Sequence, residues 1–267
     1  MKHAMKQLVR FGYHQAMSCL FPVCIFLSLA LTKVIEVPFI HRYDFILICC
    51  LLMQLFMFLS GLETKDELKV ITVFHLIGLG LELFKVHMGS WAYPEEAWSK
   101  VGGVPLYSGF MYASVASYIC QSWRRLDLKW QHWPGSWLTV MLGTAIYVNF
   151  FTHHIFYDLR WWITAALCLL FYRTYVHYRV GQHRYRMHAI VSYLLIAFFI
   201  WLAENISTFL GAWKYPDQEL SWRMVHWGKY SSWFLLVSIS VMIVAQLKRV
   251  KQARGEQSFD HKSKVLM

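Results

Sequence analysis

The chain has 267 residues, of which 57% are apolar, 18% aromatic and only 15% charged. A soluble domain carries nearer a quarter of its residues as charges, so the composition excludes an ordinary soluble enzyme and points to a polytopic membrane protein. The net charge of +11 is spread over short segments between apolar runs. There it reads as a topology signal and as contact with anionic lipid headgroups, not as a nucleic-acid-binding face.

A membrane-spanning helix needs about 20 mostly apolar residues. In chain order the qualifying segments are 16–34, 43–62, 68–88, 104–123, 136–155, 161–178, 189–210 and 229–247. Lys2, Lys6 and Arg10 precede the first run. That run continues to Val34 with no small-x-small cleavage site before Lys33, so it reads as an uncleaved span rather than a secretory signal. The sixth run is the weakest, because Arg173 and His177 sit near its end, and a seven-span chain with a re-entrant piece is the alternative. Cys19, Cys24, Cys49, Cys50, Cys120 and Cys168 all fall in predicted spans without C-x-x-C or zinc spacing, which makes them core residues rather than a disulfide framework. With a cytoplasmic N-terminus, 18 of the 26 Lys and Arg residues lie on the inner side and 8 on the outer. This asymmetry favours a multi-pass protein with both termini in the cytoplasm.

One phrase is written twice. Glu82 to Glu95 and Glu204 to Asp217 share the frame Glu, six residues, Gly, x, Trp, x, Tyr, Pro, acid, at a constant offset of 122 residues. The same offset carries the first four predicted spans close to the last four. The expected fold is therefore an all-α membrane protein of about eight transmembrane helices, built as two parallel four-helix repeats. The expected organisation is 1–123 and 124–247 for the repeats and 248–267 for a basic cytoplasmic tail.

Glu82 and Glu204 are the first candidates for chemistry. A charged side chain at the centre of a transmembrane helix costs about 2.5–3.5 kcal/mol on insertion scales, so intramembrane acids default to function. Two carboxylates facing each other in a low dielectric cannot both ionise easily, which would give one general acid and one general base. The competing structural reading pairs each Glu with a local group, and Lys85 lies within reach of Glu82 on the same helix. His75 and Gly89 lie seven residues either side of Glu82 and share its helix face with Gly78, while Asn205 adds an amide beside Glu204. These residues either line a polar cavity or serve close helix packing. The G-x-W-x-Y-P segments read first as helix stops with interfacial anchors, Gly relaxing the backbone and Pro preventing the helix from resuming. If they fold inward, Trp91, Tyr93, Trp213 and Tyr215 contact substrate, with Glu95 and Asp217 as second acids. Tyr107-Ser-Gly and Tyr230-Ser-Ser echo each other at the starts of spans four and eight.

His153, His154 and Asp158 end span five, with Arg160 beyond them. Two readings compete: a metal site with His87 and His226 as further donors, and an Asp158–Arg160 ion pair. Adjacent histidines point about 100° apart on a helix, so the ion pair is the preferred reading and no metal or cofactor is assigned. The Asn205-Ile-Ser sequon lies inside an apolar span and is discounted.

The segments L-E-L-F-K-V-H-M-G-S-W-A-Y-P-E, V-P-L-Y-S-G-F-M-Y-A-S-V-A-S-Y-I and A-E-N-I-S-T-F-L-G-A-W-K-Y-P-D resemble a bacterial integral-membrane family of unknown function, domain-of-unknown-function family eight-seventeen. The resemblance covers nearly the whole chain and implies the bacterial inner membrane, but no activity. Glu82, Gly89, Tyr93 and Gly103-Val104-Pro105-Leu106 also bear a distant likeness to membrane carotenoid hydratases. The acidic motif of lycopene cyclases is not matched by Pro94-Glu95-Glu96. The leading functional expectation is a membrane-embedded enzyme acting on a lipid or isoprenoid through Glu82 and Glu204. The alternatives are a small-solute or proton-coupled transporter and a non-catalytic scaffold.

Overall fold

The computed structural model describes residues 2–265, with side chains described from 3 to 248. The described chain is mostly helical. Its helices are α1 (Lys2–Ser18), α2 (Leu20–Val34), α3 (Arg42–Leu59), α4 (Lys65–His87), α5 (Tyr107–Arg125), α6 (Ser136–Thr152), α7 (Arg160–Phe171), α8 (Ala189–Phe209) and α9 (Lys229–Val265). Among the described residues four helices are long and apolar enough to cross a membrane: α3, α4, α8 and the Lys229–Lys248 part of α9. The pair α1 and α2 passes the same test together but bends by 66° between Ser18 and Leu20. α6 and α7 are apolar but only 17 and 12 residues long. Leu266 and Met267 of the expected tail lie outside the described residues.

Each of the eight apolar segments expected from the sequence contains a helix, with three differences. The first does not begin at residue 16. A separate amphipathic helix, α1, precedes it and packs one side against α5 and the sheet, where the Phe11 and Tyr178 rings lie 5.6 Å apart. Its other side leaves Met5, Leu8 and Val9 exposed. The sixth segment stops at Phe171, because the chain from Tyr175 turns into sheet.

That sheet is the third difference, since an all-α chain was expected. Strands β3 (Lys129–Gln131), β4 (Tyr175–Val180) and β5 (His183–His188) pair antiparallel in that order. A second pairing joins β1 (Lys100–Val101) to β2 (Val104–Pro105). The β4–β5 turn is Gly181-Gln182, with Gly181 at φ 60°, the positive φ that a two-residue hairpin needs at its first central position. The polar–apolar alternation of Tyr175 to His188 is a strand signal of period two. The expected sixth span covers only its first four residues, 175–178, and the rest falls in the basic segment that follows.

α5 sits at the centre. It touches α1, α2, α3, α4 and α9, and its small residues Ser108, Gly109, Ala113, Ser114, Ala116 and Ser117 are buried. Its polarity follows from this position: a helix surrounded by protein needs no apolar surface toward lipid, and small residues let backbones approach closely. The tightest approach is to α4. A Cβ on Gly78 would lie 2.5 Å from the Tyr112 ring, and one on Gly109 2.7 Å from Leu79 and 2.8 Å from His75. His75 is thus part of this helix contact, its ring 4.4 Å from Phe110.

At the opposite end of α4 from Glu82, a capping box between Thr64 and Glu67 starts the helix. Beside it the buried Glu63 accepts hydrogen bonds from Gln54, at 2.5 Å, and from Ser117. Gln121 and Arg124 donate to the neighbouring Leu62 carbonyl. Glu63 was not singled out in the sequence, and its satisfied surroundings make it a tie between α3, α4 and α5.

Gly78→Ala forces a methyl group into the Tyr112 ring and is expected to lower stability by about 1–3 kcal/mol. Gly80→Ala, where an added Cβ meets nothing within 4 Å, is expected to be neutral or slightly stabilising. Thermal unfolding of both variants in detergent checks this, and equal midpoints would contradict the close α4–α5 contact.

Candidate functional site

The repeated motif folds the same way in both copies. Gly89 ends α4 at φ 68° and Gly211 ends α8 at φ 80°. After each the chain reverses: Ser90 N donates to Lys85 O and Gly89 N to Val86 O, while Ala212 N donates to Ser207 O and Gly211 N to Thr208 O. This is the Schellman arrangement, which needs a left-handed residue and so favours glycine. The reversal carries the motif tyrosine back over the helix it left. Tyr93 donates its hydroxyl to Glu82 Oε2 at 2.8 Å, and Tyr215 donates to Glu204 Oε1 at 2.5 Å. The spacing of eleven residues between acid and tyrosine in the sequence is therefore the length of one turn-and-return.

Each carboxylate has further donors. Glu82 also accepts from Trp91 Nε1 at 2.7 Å and from the Tyr112 hydroxyl of α5 at 2.8 Å. Glu204 also accepts from Trp233 Nε1 of α9 at 2.7 Å. Tyr112 and Trp233 are 121 residues apart, one short of the motif offset. Both acids are buried, with 3% and 4% of their surface exposed. Burial, and then the adjacent Glu82 carboxylate, push the Tyr93 phenol well above its ordinary range; burial and Glu204 do the same at Tyr215. Both phenols stay protonated and remain donors.

The two motif loops meet. Ala92 N donates to Lys214 O and Lys214 N to Ala92 O, both at 2.9 Å. These residues occupy the same place in the two copies. The Trp91 and Tyr215 rings stand edge to face with centroids 5.9 Å apart. The Lys229 ammonium lies 5.0 Å from the Trp91 ring centroid and 4.6 Å from that of Tyr215, a cation–π contact with one aromatic from each loop.

Glu82 and Glu204 line one cavity of about 460 Å³. Lys85, Lys229, Arg160, His153 and His154 line the same cavity, as do Trp91, Trp213 and Tyr215 of the motifs. The remainder includes the apolar side chains of Pro22, Ile25, Phe26, Met111, Phe150, Ile200 and Leu236. Lys85 does not pair with Glu82. Its ammonium bonds His154 Nε2 at 2.9 Å and approaches His153 Nε2 to 3.4 Å. Arg160 pairs with Asp158 at 3.1 Å, the expected ion pair. Burial works against the Asp158 charge, but hydrogen bonds from Asn149 and the Arg160 backbone, together with the Arg160 guanidinium, outweigh it and hold the carboxyl below its usual range. Among the described residues no three His, Cys, Asp or Glu side chains converge as a metal site would require.

The other sequence candidates sit elsewhere. Tyr93 lies behind Glu82 rather than on the cavity wall, and His75 stays in the α4–α5 contact. Asn205 holds the loop after α8 by accepting from Val225 N at 2.8 Å. Glu95 pairs with Arg42 at 2.6 Å, and Asp217 falls in the short Pro216–Gln218 turn. Lys229, Tyr112 and Trp233 were not picked out from the sequence. The signal that could have found them is the Tyr-Ser-small echo opening α5 and α9, which marks those helix starts as part of the repeated unit.

The family model described as "Protein of unknown function (DUF817)" matches residues 7–241. The chain belongs to the DUF817 family. It is 62% identical over 249 residues to a Bacillus subtilis (strain 168) protein named "Uncharacterized protein YoaT", a match covering 93% of this chain and 94% of that one. In fold, this DUF817 chain resembles the crystal structure of a cross-linked MvINS trimer with a TM-score of 0.50, covering 70% of this chain and 97% of that one at 14% identity. At that identity the likeness concerns the fold alone. The likeness to carotenoid hydratases finds no support among these matches.

Removing one donor should expose the difference between the two acids. Among the described residues Tyr215 is the single donor to Glu204 Oε1, whereas Tyr93 shares Glu82 Oε2 with Trp91. Tyr215→Phe is therefore expected to cost about 1–3 kcal/mol and Tyr93→Phe less. Thermal midpoints of the two variants, compared in one detergent, decide the order.

Proposed function

We propose that this DUF817 chain is a membrane-embedded enzyme acting on a lipid or isoprenoid, with the 460 Å³ cavity as its substrate site and Glu82 and Glu204 as its acid–base pair. The observation that carries the reading is that both motif carboxylates reach one cavity whose lining is otherwise largely apolar. A pocket of that size with a few convergent polar groups is the usual form of a small-molecule site.

The two acids divide the work. A carboxylate offers about four lone-pair positions. Glu82 has three donors and Glu204 two, so Glu204 has more capacity left to exchange a proton with substrate. Glu82, closed in by Trp91, Tyr93 and Tyr112, is the more constrained acid, and Lys229 lines the same cavity. Trp91, Trp213 and Tyr215 present aromatic surface to the apolar part of the substrate.

The same reading takes the chain as two parallel four-helix repeats crossing the bacterial inner membrane eight times, with both termini cytoplasmic. Its support is local. The Glu–Tyr bond recurs at the same spacing in both copies, Ala92 and Lys214 bond reciprocally, and α4 packs along α5 as α8 packs along α9. Reciprocal bonding of equivalent residues is what a two-fold relation between halves requires.

The test is lipid and isoprenoid profiling of a deletion strain complemented with wild type, Glu82→Gln, Glu204→Gln or both. Positioned acid–base groups contribute about 10²–10⁴-fold, so Glu204→Gln is expected to leave the deletion profile almost unrestored, and Glu82→Gln to restore it in part. Full restoration by the double variant at normal expression would sink the acid–base role and favour a scaffold.

A further inference from the structure

We propose that Lys85, His153, His154 and Ser90 form a subsite for an anionic phosphate-class headgroup, so that the substrate of the cavity is a phosphorylated amphiphile rather than a neutral one. This deepens the reading above and rests on it.

The argument begins with the Lys85 ammonium. Lys85 projects from α4 in the turn after Glu82 and is buried, with 6% of its surface exposed. A buried ammonium is costly without a counter-charge. Glu82, the acid on its own helix, is held by Trp91, Tyr93 and Tyr112. Asp158, the acid beyond the histidines, is held by Arg160 and Asn149. The ammonium is left with imidazoles: His154 at 2.9 Å and His153 at 3.4 Å. An imidazole nitrogen that accepts from a lysine is neutral there, so these contacts supply hydrogen bonding but no negative charge.

The surroundings suit an anion. Lys85 has three ammonium donors, and the two imidazoles account for two of them. Ser90, the residue after the motif glycine, lies 3.5 Å from His154 Nε2 and lines the same cavity. Lys229 and Arg160 line the same cavity. His153 is fixed by its own bond between Nδ1 and Asn149 O at 2.9 Å, which leaves Nε2 facing Lys85. When an anion binds, the histidines can take up protons and donate, adding charge-assisted hydrogen bonds to those of the lysine. Among the described residues Glu82 and Glu204 are bonded to their own donors and make no hydrogen bond to Lys85, His153, His154 or Ser90. The Phe150 ring lies 5.8 Å from the Lys85 ammonium and Met111 lines the same cavity, which gives an alkyl or prenyl chain apolar surface within reach of the headgroup.

The test uses purified full-length protein in maltoside micelles and three probes: dodecyl phosphate, dodecanol and inorganic phosphate. Binding is read by native mass spectrometry and by the shift in thermal midpoint. Wild type is expected to bind dodecyl phosphate roughly ten-fold or more tightly than dodecanol, the preference a charge-assisted contact supplies, and inorganic phosphate far more weakly than either. Lys85→Met is expected to bring the two dodecyl probes within about two-fold of each other, and Lys85→Arg to keep most of the preference. Equal binding of the two dodecyl probes by wild type overturns the headgroup subsite and leaves the apolar cavity standing. Failure of both to bind removes the amphiphile reading itself. Inorganic phosphate binding as tightly as dodecyl phosphate also overturns the proposal, since the tail would then play no part. If Lys85→Met does not fold, the wild-type comparison decides alone.

Discussion

The structure depends on how a carboxylate is kept inside a helix bundle. Glu82 and Glu204 each bury an acid that would be expensive without partners, and each is satisfied by a tyrosine eleven residues later in its own chain segment. The tyrosine reaches its acid only if the helix ends between them, so the acid, the left-handed glycine and the tyrosine form one unit. The loop that delivers the tyrosine also brings the tryptophan, and the two loops together form part of the cavity wall. What looks like a helix stop with interfacial anchors is thus also the means by which two acids are housed.

The two copies are alike in plan and different in detail. Trp91 donates to Glu82 in one copy. In the other, the indole that meets Glu204 comes from Trp233 on α9 instead of from the motif's Trp213. Lys229 sits against the aromatics of both loops but has a single position, on α9. The site is therefore asymmetric where chemistry would need asymmetry, at the donors around each acid and at the cation between them.

Much of this was legible in the sequence. The motif located both acids, their glycines and their tyrosines, and hydropathy located a helix in each of the eight apolar runs. The physical reason is that burial of an acid and reversal of a helix each demand particular residues at fixed spacing. What escaped notice was long-range or masked by composition. Tyr112 and Trp233 look like ordinary core aromatics until α5 and α9 bring them to the acids. Lys85 was read through its helical neighbour Glu82, whereas its partners His153 and His154 lie beyond α6. The β4–β5 hairpin carries a period-two pattern, but the expected sixth span (161–178) takes in the first four residues of β4 and leaves the rest as a basic inner loop.

The pair of backbone bonds between Ala92 and Lys214 has a mechanical consequence. Two separate flaps over a cavity would open independently, each with its own entropy of release. Flaps stitched at equivalent points share one coordinate: displacing Trp91 pulls on Lys214, and through it on Trp213 and Tyr215. The part of the cavity wall that the loops supply is then one piece between the turns at Gly89 and Gly211, so a displacement beside one acid is transmitted toward the other.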